Sequence, residues 1–336
     1  GDGIADDTAK IQKVINLAND YDHIIIPAGK YKVSQLEISN KHNITISGPG
    51  TILKDDTNNV FAIFYIHDTS HITLDGINLI GASGGGSDRG IWALNNSDLQ
   101  IKNNHFSNFS SQAMIMWGGN TSAEFTNRIS NNYITNCGYG IQFIANAEYY
   151  AVTNNTITTC KYGIHGALGN DRIDNNQIEN NVYGIWMDGS ISPNADHSSI
   201  AGNQLNHNRA IGLYISNVHL TESIINNEIL STTGPDVWNV TGHYYSLVMI
   251  NCTNVAISSN QIDGGSDGNI YVDNCSGTRW IGNTINGNIK EVTPCGKNIY
   301  IGNVFTGTRK LILHTDTPKP VRVGDIEGGL YITQYN

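Results

Sequence analysis

A short pattern built around a pair of asparagines recurs along this chain, and it limits the possible folds more than any other feature. Each copy has an apolar residue, a variable residue, Asn-Asn or Gly-Asn, another variable residue and a second apolar residue, as in residues 101–106. Looser copies occur at 44–52 and 72–77. The second asparagine falls at Asn104, Asn132, Asn155, Asn176, Asn203, Asn227, Asn260, Asn283 and Asn303. A constant segment separated by insertions of variable length is typical of a solenoid.

The apolar and polar residues of each copy alternate with a period of two, which predicts β-strands rather than helices. The asparagine pair lies between two such strands, where the chain must bend, and asparagine or glycine tolerates the left-handed backbone of a bend. Stacked turns would place equivalent asparagines about 4.8 Å apart, so that their amides hydrogen-bond along the stack. We therefore predict an all-β fold, a right-handed parallel β-helix. A β-sandwich with coincidental asparagines is the alternative.

The composition and the charge exclude several kinds of partner. The 336 residues carry 29 acidic and 19 basic side chains, a net charge of −10, which argues against nucleic acid or an anionic membrane as partner. No apolar run approaches the roughly 20 residues of a membrane span. The chain begins without a signal peptide or an initiating methionine, so we expect a fragment from which an N-terminal attachment part was removed.

The five cysteines occupy two positions of the repeat. Cys252, Cys275 and Cys295 each precede the second asparagine of their copy by eight residues, and Cys137 and Cys160 follow theirs by five. Equivalent residues of adjacent turns point the same way, which is poor geometry for a disulfide. A metal site needs ligands that converge from different directions. The pattern predicts two ladders of buried free thiols, with no metal and no cofactor.

The two ends of the chain differ from the repeat. Asp6, Asp7 or Thr8 can begin a helix whose apolar face would plug the first turn of the solenoid. That predicted face consists of Ile11, Val14, Ile15 and Ala18. We assign residues 1–306 to a parallel β-helix with this helical cap. Residues 307–336 lack the asparagine pair and are expected to form a C-terminal cap or an oligomerisation tail.

The opening residues 1–12, together with the Ile-Pro-Ala-Gly-Lys-Tyr turn at 26–31, resemble the pectate-lyase-type superfamily, and the resemblance extends to about residue 306. That superfamily includes bacteriophage tailspikes, polysaccharide lyases, epimerases and glycoside hydrolases. The resemblance is greatest to a tailspike depolymerase. It implies a homotrimer on the virion or outside the cell that binds and endo-cleaves a bacterial surface polysaccharide, capsule or O-antigen.

The Gly-Ile strand of each repeat sorts the side chains into faces. If Ile141, Ile164 and Ile185 point inwards, the residues one and three positions later point outwards. The outward residues include His165, Trp186 and Tyr214 in one column, and Trp117 and Asp188 in the other. Flat exposed rings stack on sugar faces, so we expect these aromatic residues to bind substrate. Subunit packing is the alternative for the rings, and Trp92 and Ile115 fit a trimer interface equally well.

Carboxylates gather in the connections that follow this strand. They are Glu124, Glu148, Asp171, Asp196 and Glu222, one to a turn, with Asp188 at the end of the strand itself. Glycoside hydrolysis needs an acid and a second carboxylate, and acids one or two turns apart match the required separations. Asp188 with Asp171 or Asp196 is the leading catalytic pair, and Glu148 is the reserve. Crowding of the acids is expected to raise the pKa of one.

The long connections at 189–198 and 231–245 lie near these acids and add His197 and Trp238 as substrate-binding residues. Arg172, directly after Asp171, is a further substrate-binding candidate. A polysaccharide lyase or C5-epimerase acting on a uronic-acid polymer is an alternative, because it needs a base and cations. The residues that could serve are His165, Arg172, His197, Tyr214, His243 and Tyr244. The Asp-Pro-His-Glu signature of alginate epimerases is absent from the sequence. A non-catalytic glycan-binding spike, whose acids only solvate the groove, is the third alternative.

Overall fold

The alternation of apolar and polar residues produces short strands, three to each turn, and all of the observed strand pairs are parallel. The computed structural model describes residues 1–55, 62–82, 88–118, 127–192, 197–219, 222–231, 245–264, 270–293, 295–306, 310–314, 321–323, 326–327 and 331–335. The chain forms two units, Gly1–His165 and Gly166–Asn336. Each is a parallel β-solenoid, which confirms the predicted fold class.

The first part of the chain contains the single helix of the described residues, α1 (Thr8–Leu17), and nineteen strands. The strands are β1 (Asp2–Asp6), β2 (His23–Ile25), β3 (Lys30–Val33), β4 (Leu36–Ser39), β5 (His42–Ser47), β6 (Thr51–Lys54), β7 (Phe64–His67), β8 (Ser70–Asp75), β9 (Asn78–Ile80), β10 (Ile91–Leu94), β11 (Gln100–Lys102), β12 (His105–Ser107), β13 (Gln112–Trp117), β14 (Asn127–Ser130), β15 (Tyr133–Thr135), β16 (Tyr139–Ile144), β17 (Tyr150–Thr153), β18 (Thr156–Thr158) and β19 (Tyr162–Gly166). The first sheet follows the order β1-β3-β6-β9-β12-β15-β18, the second β4-β7-β10-β13-β16-β19, and the third β2-β5-β8-β11-β14-β17.

The second unit repeats this arrangement. Its strands are β20 (Arg172–Asp174), β21 (Gln177–Glu179), β22 (Tyr183–Asp188), β23 (Ser199–Ala201), β24 (Gln204–Asn208), β25 (Ile211–Ser216), β26 (Ser223–Ile225), β27 (Glu228–Ser231), β28 (Tyr245–Ile250), β29 (Ala256–Ser258), β30 (Gln261–Gly264), β31 (Ile270–Asp273), β32 (Arg279–Ile281), β33 (Thr284–Asn286), β34 (Ile289–Glu291), β35 (Ile299–Ile301), β36 (Val304–Phe305), β37 (Lys310–His314), β38 (Val321–Val323), β39 (Ile326–Glu327) and β40 (Tyr331–Tyr335). The orders are β21-β24-β27-β30-β33-β36-β39 in the first sheet, β22-β25-β28-β31-β34-β37-β40 in the second, and β20-β23-β26-β29-β32-β35-β38 in the third.

The second asparagine of each repeat holds adjacent turns together, as the sequence predicts. Asn132 accepts hydrogen bonds from the backbone N–H and the side-chain amide of Asn104, at 2.9 and 3.2 Å. Its own amide donates to the Ile101 carbonyl at 2.9 Å and to Asn155 Oδ1 at 3.0 Å. In the second unit the same amide contacts link Asn176, Asn203, Asn227, Asn260, Asn283 and Asn303. Because the side-chain amides of these buried asparagines hydrogen-bond along the stack, the free-energy cost of removing them from water is compensated.

The first residue of each pair supplies the bend. Asn131 has a φ of 55° and Gly202 a φ of 65°, both in the left-handed region that asparagine and glycine tolerate best. A further asparagine contact, absent from the sequence prediction, joins Asn181 to Asn208, whose Oδ1 accepts from the Asn181 N–H and Nδ2 at 3.2 Å each. The turn chemistry therefore recurs at a second corner of the coil.

The helix α1 covers the first strand of the second sheet. The Gln12 side chain donates to the Glu37 carbonyl at 2.8 Å and accepts from its N–H at 2.7 Å, so it occupies backbone groups at the edge of β4. At the N-terminus of the helix, the Asp6 carboxylate accepts from the Thr8 N–H at 2.9 Å. Lys41 Nζ donates to the carbonyls of Asn16 and Ala18 at the other end. The edge that would otherwise template further pairing is thus capped.

The predicted apolar face of α1 is partly wrong. Ile15 and Ala18 are buried, and Ile11 is half-buried, but Val14 is 49% exposed. The helix lies against a strand edge through a narrow stripe, so only part of the face meets the solenoid. The prediction of buried free thiols is confirmed for all five cysteines, and the Cys275 N–H lies 3.4 Å from Cys295 Sγ on the adjacent turn.

The strands after residue 306 continue the three sheets through backbone pairing. β37 pairs with β34 and then with β40, β38 pairs with β35, and β39 pairs with β36, all in parallel. The assignment of residues 307–336 to an end cap or an oligomer contact stays a prediction.

Replacing Asn132 by alanine removes its four side-chain hydrogen bonds and leaves buried partners unpaired. We expect the free energy of unfolding to fall by about 2–3 kcal/mol, measured by urea denaturation. The matched control is Asn131→Gly, at the adjacent exposed position with positive φ. Glycine adopts this backbone without strain, so this variant should stay within about 1 kcal/mol of the original protein. Equal losses in both variants would contradict the assigned role of the second asparagine.

Candidate functional site

The outer face of the second sheet carries the residues that the sequence analysis assigns to outward columns. In the second unit Trp186 pairs in register with Tyr214, and Asp188 with Ser216. In the first unit Trp117 aligns with Ile144. The inward residues between them, such as Ile185, are fully buried. The predicted columns are therefore in register within each unit, but the expectation that Ile115 is available for subunit packing is wrong, because Ile115 is only 4% exposed between its neighbours on this face.

Three aromatic rings form a cluster on this face of the second unit. The rings of Tyr183 and Trp186 meet edge to face, with centroids 5.0 Å apart and planes at 63°. The Trp186 and Tyr214 rings lie 4.4 Å apart at 41°. All three side chains are half-buried, so each keeps part of its surface open to solvent. We call Tyr183, Trp186 and Tyr214 the aromatic cluster.

Asp188 ends the strand that carries Trp186, and its carboxylate is surrounded by donors. Oδ1 accepts from the Ser190 N–H at 2.9 Å, the Ser190 hydroxyl at 2.7 Å and Asn217 Nδ2 at 3.2 Å. Asn217 Oδ1 accepts in turn from Asn251 Nδ2 at 3.1 Å, and Asn251 Oδ1 from Asn274 Nδ2 at 2.9 Å. The amides of three successive turns thus form a chain of hydrogen bonds that ends at the Asp188 carboxylate, and each hydrogen bond strengthens the next by polarising it.

These bonds decide the charge of Asp188. Burial raises the pKa of this carboxyl, but the hydrogen bonds from Ser190, Asn217 and Ser216 outweigh it, so the pKa lies below its ordinary value. Burial also raises the pKa of the Tyr214 phenol, and the nearby negative charge of Asp188 adds to that shift. An ionised carboxylate therefore lies beside a neutral phenol. The expectation that crowded acids raise a pKa is wrong for Asp188, because donors rather than acids surround it.

Asp171, the predicted partner of Asp188, has a different environment. It is only 1% exposed, and its Oδ2 accepts from the Gly169 N–H at 3.0 Å. Its backbone N–H donates to Ser198 Oγ at 3.1 Å, and Glu222 Oε2 accepts from the Ser198 N–H at 2.9 Å. The side-chain oxygens of Ser198 and Glu222 thus bind the backbone of the preceding turn, and the Asp171 carboxylate binds the backbone of its own connection. The burial of Asp171 favours a role in supporting the turn, and its catalytic role stays a prediction.

The same corner carries this support in both units. In the first unit Asn127 Oδ1 accepts from the Leu99 N–H at 2.8 Å, and in the second unit Asn298 Oδ1 accepts from the Thr278 N–H at 3.1 Å. Asp171 and Glu222 share this position with asparagine and serine. Neutral asparagine and serine side chains fill the same role in other turns, so the sequence already indicated that an acid at this position can be structural rather than catalytic.

Of the remaining predicted residues of the second unit, Arg172 and His197 lie within the described part of the chain. Arg172 is exposed and pairs with Asp174 at 2.8 Å, and His197 is exposed on a residue with positive φ. Asp196 and Trp238 lie outside the described residues. Ser190 and Asn217, which bind Asp188, were not predicted. The sequence signal for Asn217 was the asparagine that directly follows the second-sheet strand in successive turns, at Asn217, Asn251 and Asn274.

The first unit holds the other predicted residues. His165 is half-buried beside the stacked rings of Tyr139 and Tyr162, with centroids at 5.3 and 5.1 Å. Trp117 is 38% exposed. Glu148 is 9% exposed and lies in the connection before β17. The reserve role of Glu148 as a catalytic acid stays a prediction.

The described residues also limit the cofactors and the setting that the site could have. No group of three or more His, Cys, Asp or Glu side chains there could hold a metal ion. Within the same part of the chain, no helix combines the length and the apolar character needed to cross a membrane.

Comparison with protein families gives the class of this protein. The family model described as the right-handed beta helix region matches residues 10–192 and 89–246. The chain belongs to this family, and the resemblance stated from the sequence is confirmed at that level. A search of the curated proteins found no match.

Solved structures share the fold at low sequence identity. The A-module of a mannuronan C-5 epimerase from Azotobacter vinelandii is 13% identical, with a TM-score of 0.61, over 100% of this chain and 95% of that one. A surface adhesin of Streptococcus pneumoniae is 16% identical, with a TM-score of 0.60, over 100% and 90%. Tailspike protein 3 of bacteriophage CBA120 is 12% identical, with a TM-score of 0.58, over 99% and 57%. These likenesses establish the shared architecture.

Replacing Ser190 by alanine removes the hydroxyl that donates to Asp188 and leaves the backbone N–H donor in place. We expect the pKa of Asp188 to rise towards its ordinary value, measured by carbon-detected NMR titration of the carboxyl. Because the folded pKa is lowered, Asp188 stabilises the fold above its unfolded pKa and loses that contribution as pH falls through the folded pKa. The variant should therefore lose less stability on acidification. Ser223→Ala, on the outer face of the third sheet, is the control, and an unchanged Asp188 pKa in Ser190→Ala would refute the assignment.

Proposed function

We propose that this protein binds a bacterial surface polysaccharide, capsule or O-antigen, and cleaves it within the chain by glycoside hydrolysis, as a tailspike-like depolymerase does. The proposal rests on the ionised carboxylate of Asp188 beside the aromatic cluster, on the outer face of a solenoid sheet. A pyranose ring can stack on Trp186 and Tyr214, while Asp188 acts on water or on the anomeric carbon of the sugar.

Hydrolysis needs a second, protonated acid near Asp188. Asp171 is too deeply buried for a substrate to reach, so Asp196 is the partner acid in this proposal. It follows Asp188 by eight residues, on the same connection between β22 and β23. The low pKa of Asp188 suits the base or nucleophile and leaves the role of proton donor to the other acid.

The fold supports a polysaccharide as the ligand, because an extended polymer can follow the turns of a solenoid across many repeats. A tailspike and a polysaccharide epimerase are among the structures that share the fold. By analogy with the tailspike, we further propose a homotrimer that acts on the virion tail or outside the cell. The fold by itself hosts several activities, so the argument for hydrolysis depends on the site.

A lyase or C5-epimerase is the second candidate, and Tyr214 favours it. A phenol kept neutral beside an ionised carboxylate can donate a proton to a leaving oxygen. A lyase would release a product with an unsaturated sugar that absorbs in the near ultraviolet, whereas a hydrolase would release only new reducing ends. An epimerase would release neither, and it would be recognised by a changed sugar composition. A glycan-binding protein without activity would leave the polymer intact and unchanged.

The test uses purified capsular polysaccharides and O-antigens, with reducing ends and near-ultraviolet absorbance as readouts. Asp188→Asn should lower kcat by on the order of 10²–10⁴, because the amide cannot act as base or nucleophile. Trp186→Ala should mainly raise KM. Glu179→Gln, an acid on the first sheet of the same unit, should leave both constants unchanged. Full activity of Asp188→Asn, or an unsaturated product, would exclude the proposed mechanism.

A further inference from the structure

The first unit carries a second row of aromatic rings on the outer face of its second sheet. Tyr65 and Trp92 are neighbours in register on β7 and β10, and their rings meet edge to face at 6.1 Å and 75°. The Trp92 ring stacks on that of Trp117, on β13, with centroids 5.5 Å apart and planes at 12°. Trp117 is in register with Leu94, two residues after Trp92, so the indoles of Trp92 and Trp117 contact each other diagonally across the sheet. We call Tyr65, Trp92 and Trp117 the ring row.

A chain of polar side chains borders the ring row. The Arg89 guanidinium lies over the Trp92 ring, 5.1 Å from its centroid. Arg89 Nε donates to Gln112 Oε1 at 2.6 Å, and Gln112 Nε2 donates to Gln142 Oε1 at 2.8 Å. These bonds fix the orientation of side chains on three successive turns. The surface thus combines flat apolar rings with oriented amide and guanidinium groups along one edge.

Two carboxylates lie at the other end of the row. The His67 ring lies 4.6 Å from that of Tyr65, and its two nitrogens contact Glu37 Oε1 at 2.8 Å and Asp68 Oδ2 at 3.0 Å. Burial lowers the pKa of His67, but the two carboxylates outweigh it, so the pKa lies above its ordinary value. A polyanion would have to approach the exposed carboxylates of Glu37 and Asp68 on a chain whose net charge is −10, which favours an uncharged ligand.

We propose that the ring row is a second, non-catalytic glycan-binding site, which takes an uncharged pyranose segment of a polysaccharide. The apolar C–H face of a pyranose matches the exposed surface of the Trp117 indole, which is 38% exposed. The sugar hydroxyl groups meet the half-buried amide of Gln142, which the buried Gln112 holds in place. Rings that are already stacked lose little conformational freedom on binding, so the site is pre-organised.

A sugar fits this surface better than an apolar protein partner. The rings are flanked by hydrogen-bonded amides and by the exposed carboxylates of Glu37 and Asp68, which a dry protein contact would have to desolvate. A glycan instead keeps these groups hydrated or bonded to hydroxyls. The site uses residues of the first unit only, so it does not depend on the activity proposed for Asp188.

The experiment measures the response of individual tryptophan side chains to an added sugar. The protein is labelled with 5-fluorotryptophan, and fluorine NMR is recorded while cellopentaose, an uncharged probe, is added. Trp117→Phe and Trp92→Phe assign the two resonances. We expect the resonances of Trp117 and Trp92 to shift, while that of Trp280, a fully buried residue, stays in place. A mannuronate pentamer, the charged probe of equal length, should bind at least about tenfold more weakly.

Variants separate stacking from general surface effects. Trp117→Ala should weaken cellopentaose binding by about tenfold, because it removes the stacking surface, and Trp117→Tyr should restore part of it. Gln142→Ala gives an independent loss if Trp117→Ala fails to fold. Tyr133→Ala, an exposed aromatic residue on the first sheet of the same unit, is the matched control and should bind as the original protein does.

Three outcomes would overturn the proposal. The first is a Trp117 resonance that cellopentaose does not move at millimolar concentration. The second is a mannuronate pentamer that binds as tightly as cellopentaose. The third is a Trp117 resonance that shifts with protein concentration alone, which would make the ring row a contact between copies of the chain. A protein that lacks cleavage activity still gives a result, so failure here is distinct from failure of the proposed hydrolysis.

Discussion

The hydrogen bonds between asparagine amides of adjacent turns are the interaction on which the rest of the structure depends. Each buried amide, such as that of Asn132, binds the backbone of the preceding turn and the amide of the next. This fixes the register of one turn on another, because a slip of one residue would leave buried polar groups unpaired. Columns of side chains on the outer faces follow from that register. Without it, Trp186 and Tyr214, which are far apart in the sequence, would not share a surface.

The same need to pair buried backbone groups explains why several acids are poor catalytic candidates. Asp171 and Glu222 occupy a corner of the coil where a side-chain oxygen accepts a backbone N–H, a role that Asn127 fills in the first unit. Asp188 differs because it ends a strand on the outer face, where donors hold the carboxylate ionised without burying it completely. An acid of this fold is therefore judged by its hydrogen-bond partners and its exposure, and not by how often acids recur along the chain.

Two surfaces of different character result from one repeating plan. In the second unit an ionised carboxylate accompanies the rings, which gives that surface a group able to act on a bond. In the first unit the exposed carboxylates beside the rings bond to His67, and the ring row offers stacking and hydrogen bonds. Structures with this fold include an epimerase, an adhesin and a tailspike. Differences of this kind between surfaces, rather than the solenoid itself, distinguish binding from chemistry.

The sequence by itself determined the solenoid, its stacking residues and the sorting of faces, because strand alternation and the asparagine pair are local patterns that every turn repeats. It also determined the free cysteines, since in-register neighbours cannot form a disulfide. Only the tertiary structure decided that Val14 is exposed, that Asp171 is buried and that Ser190 and Asn217 lower the pKa of Asp188. The Ser190 contact is local, but the others depend on which groups of a neighbouring turn or element come within hydrogen-bonding or packing distance. Asn217 follows Asp188 by 29 residues, and a local pattern does not encode such a contact.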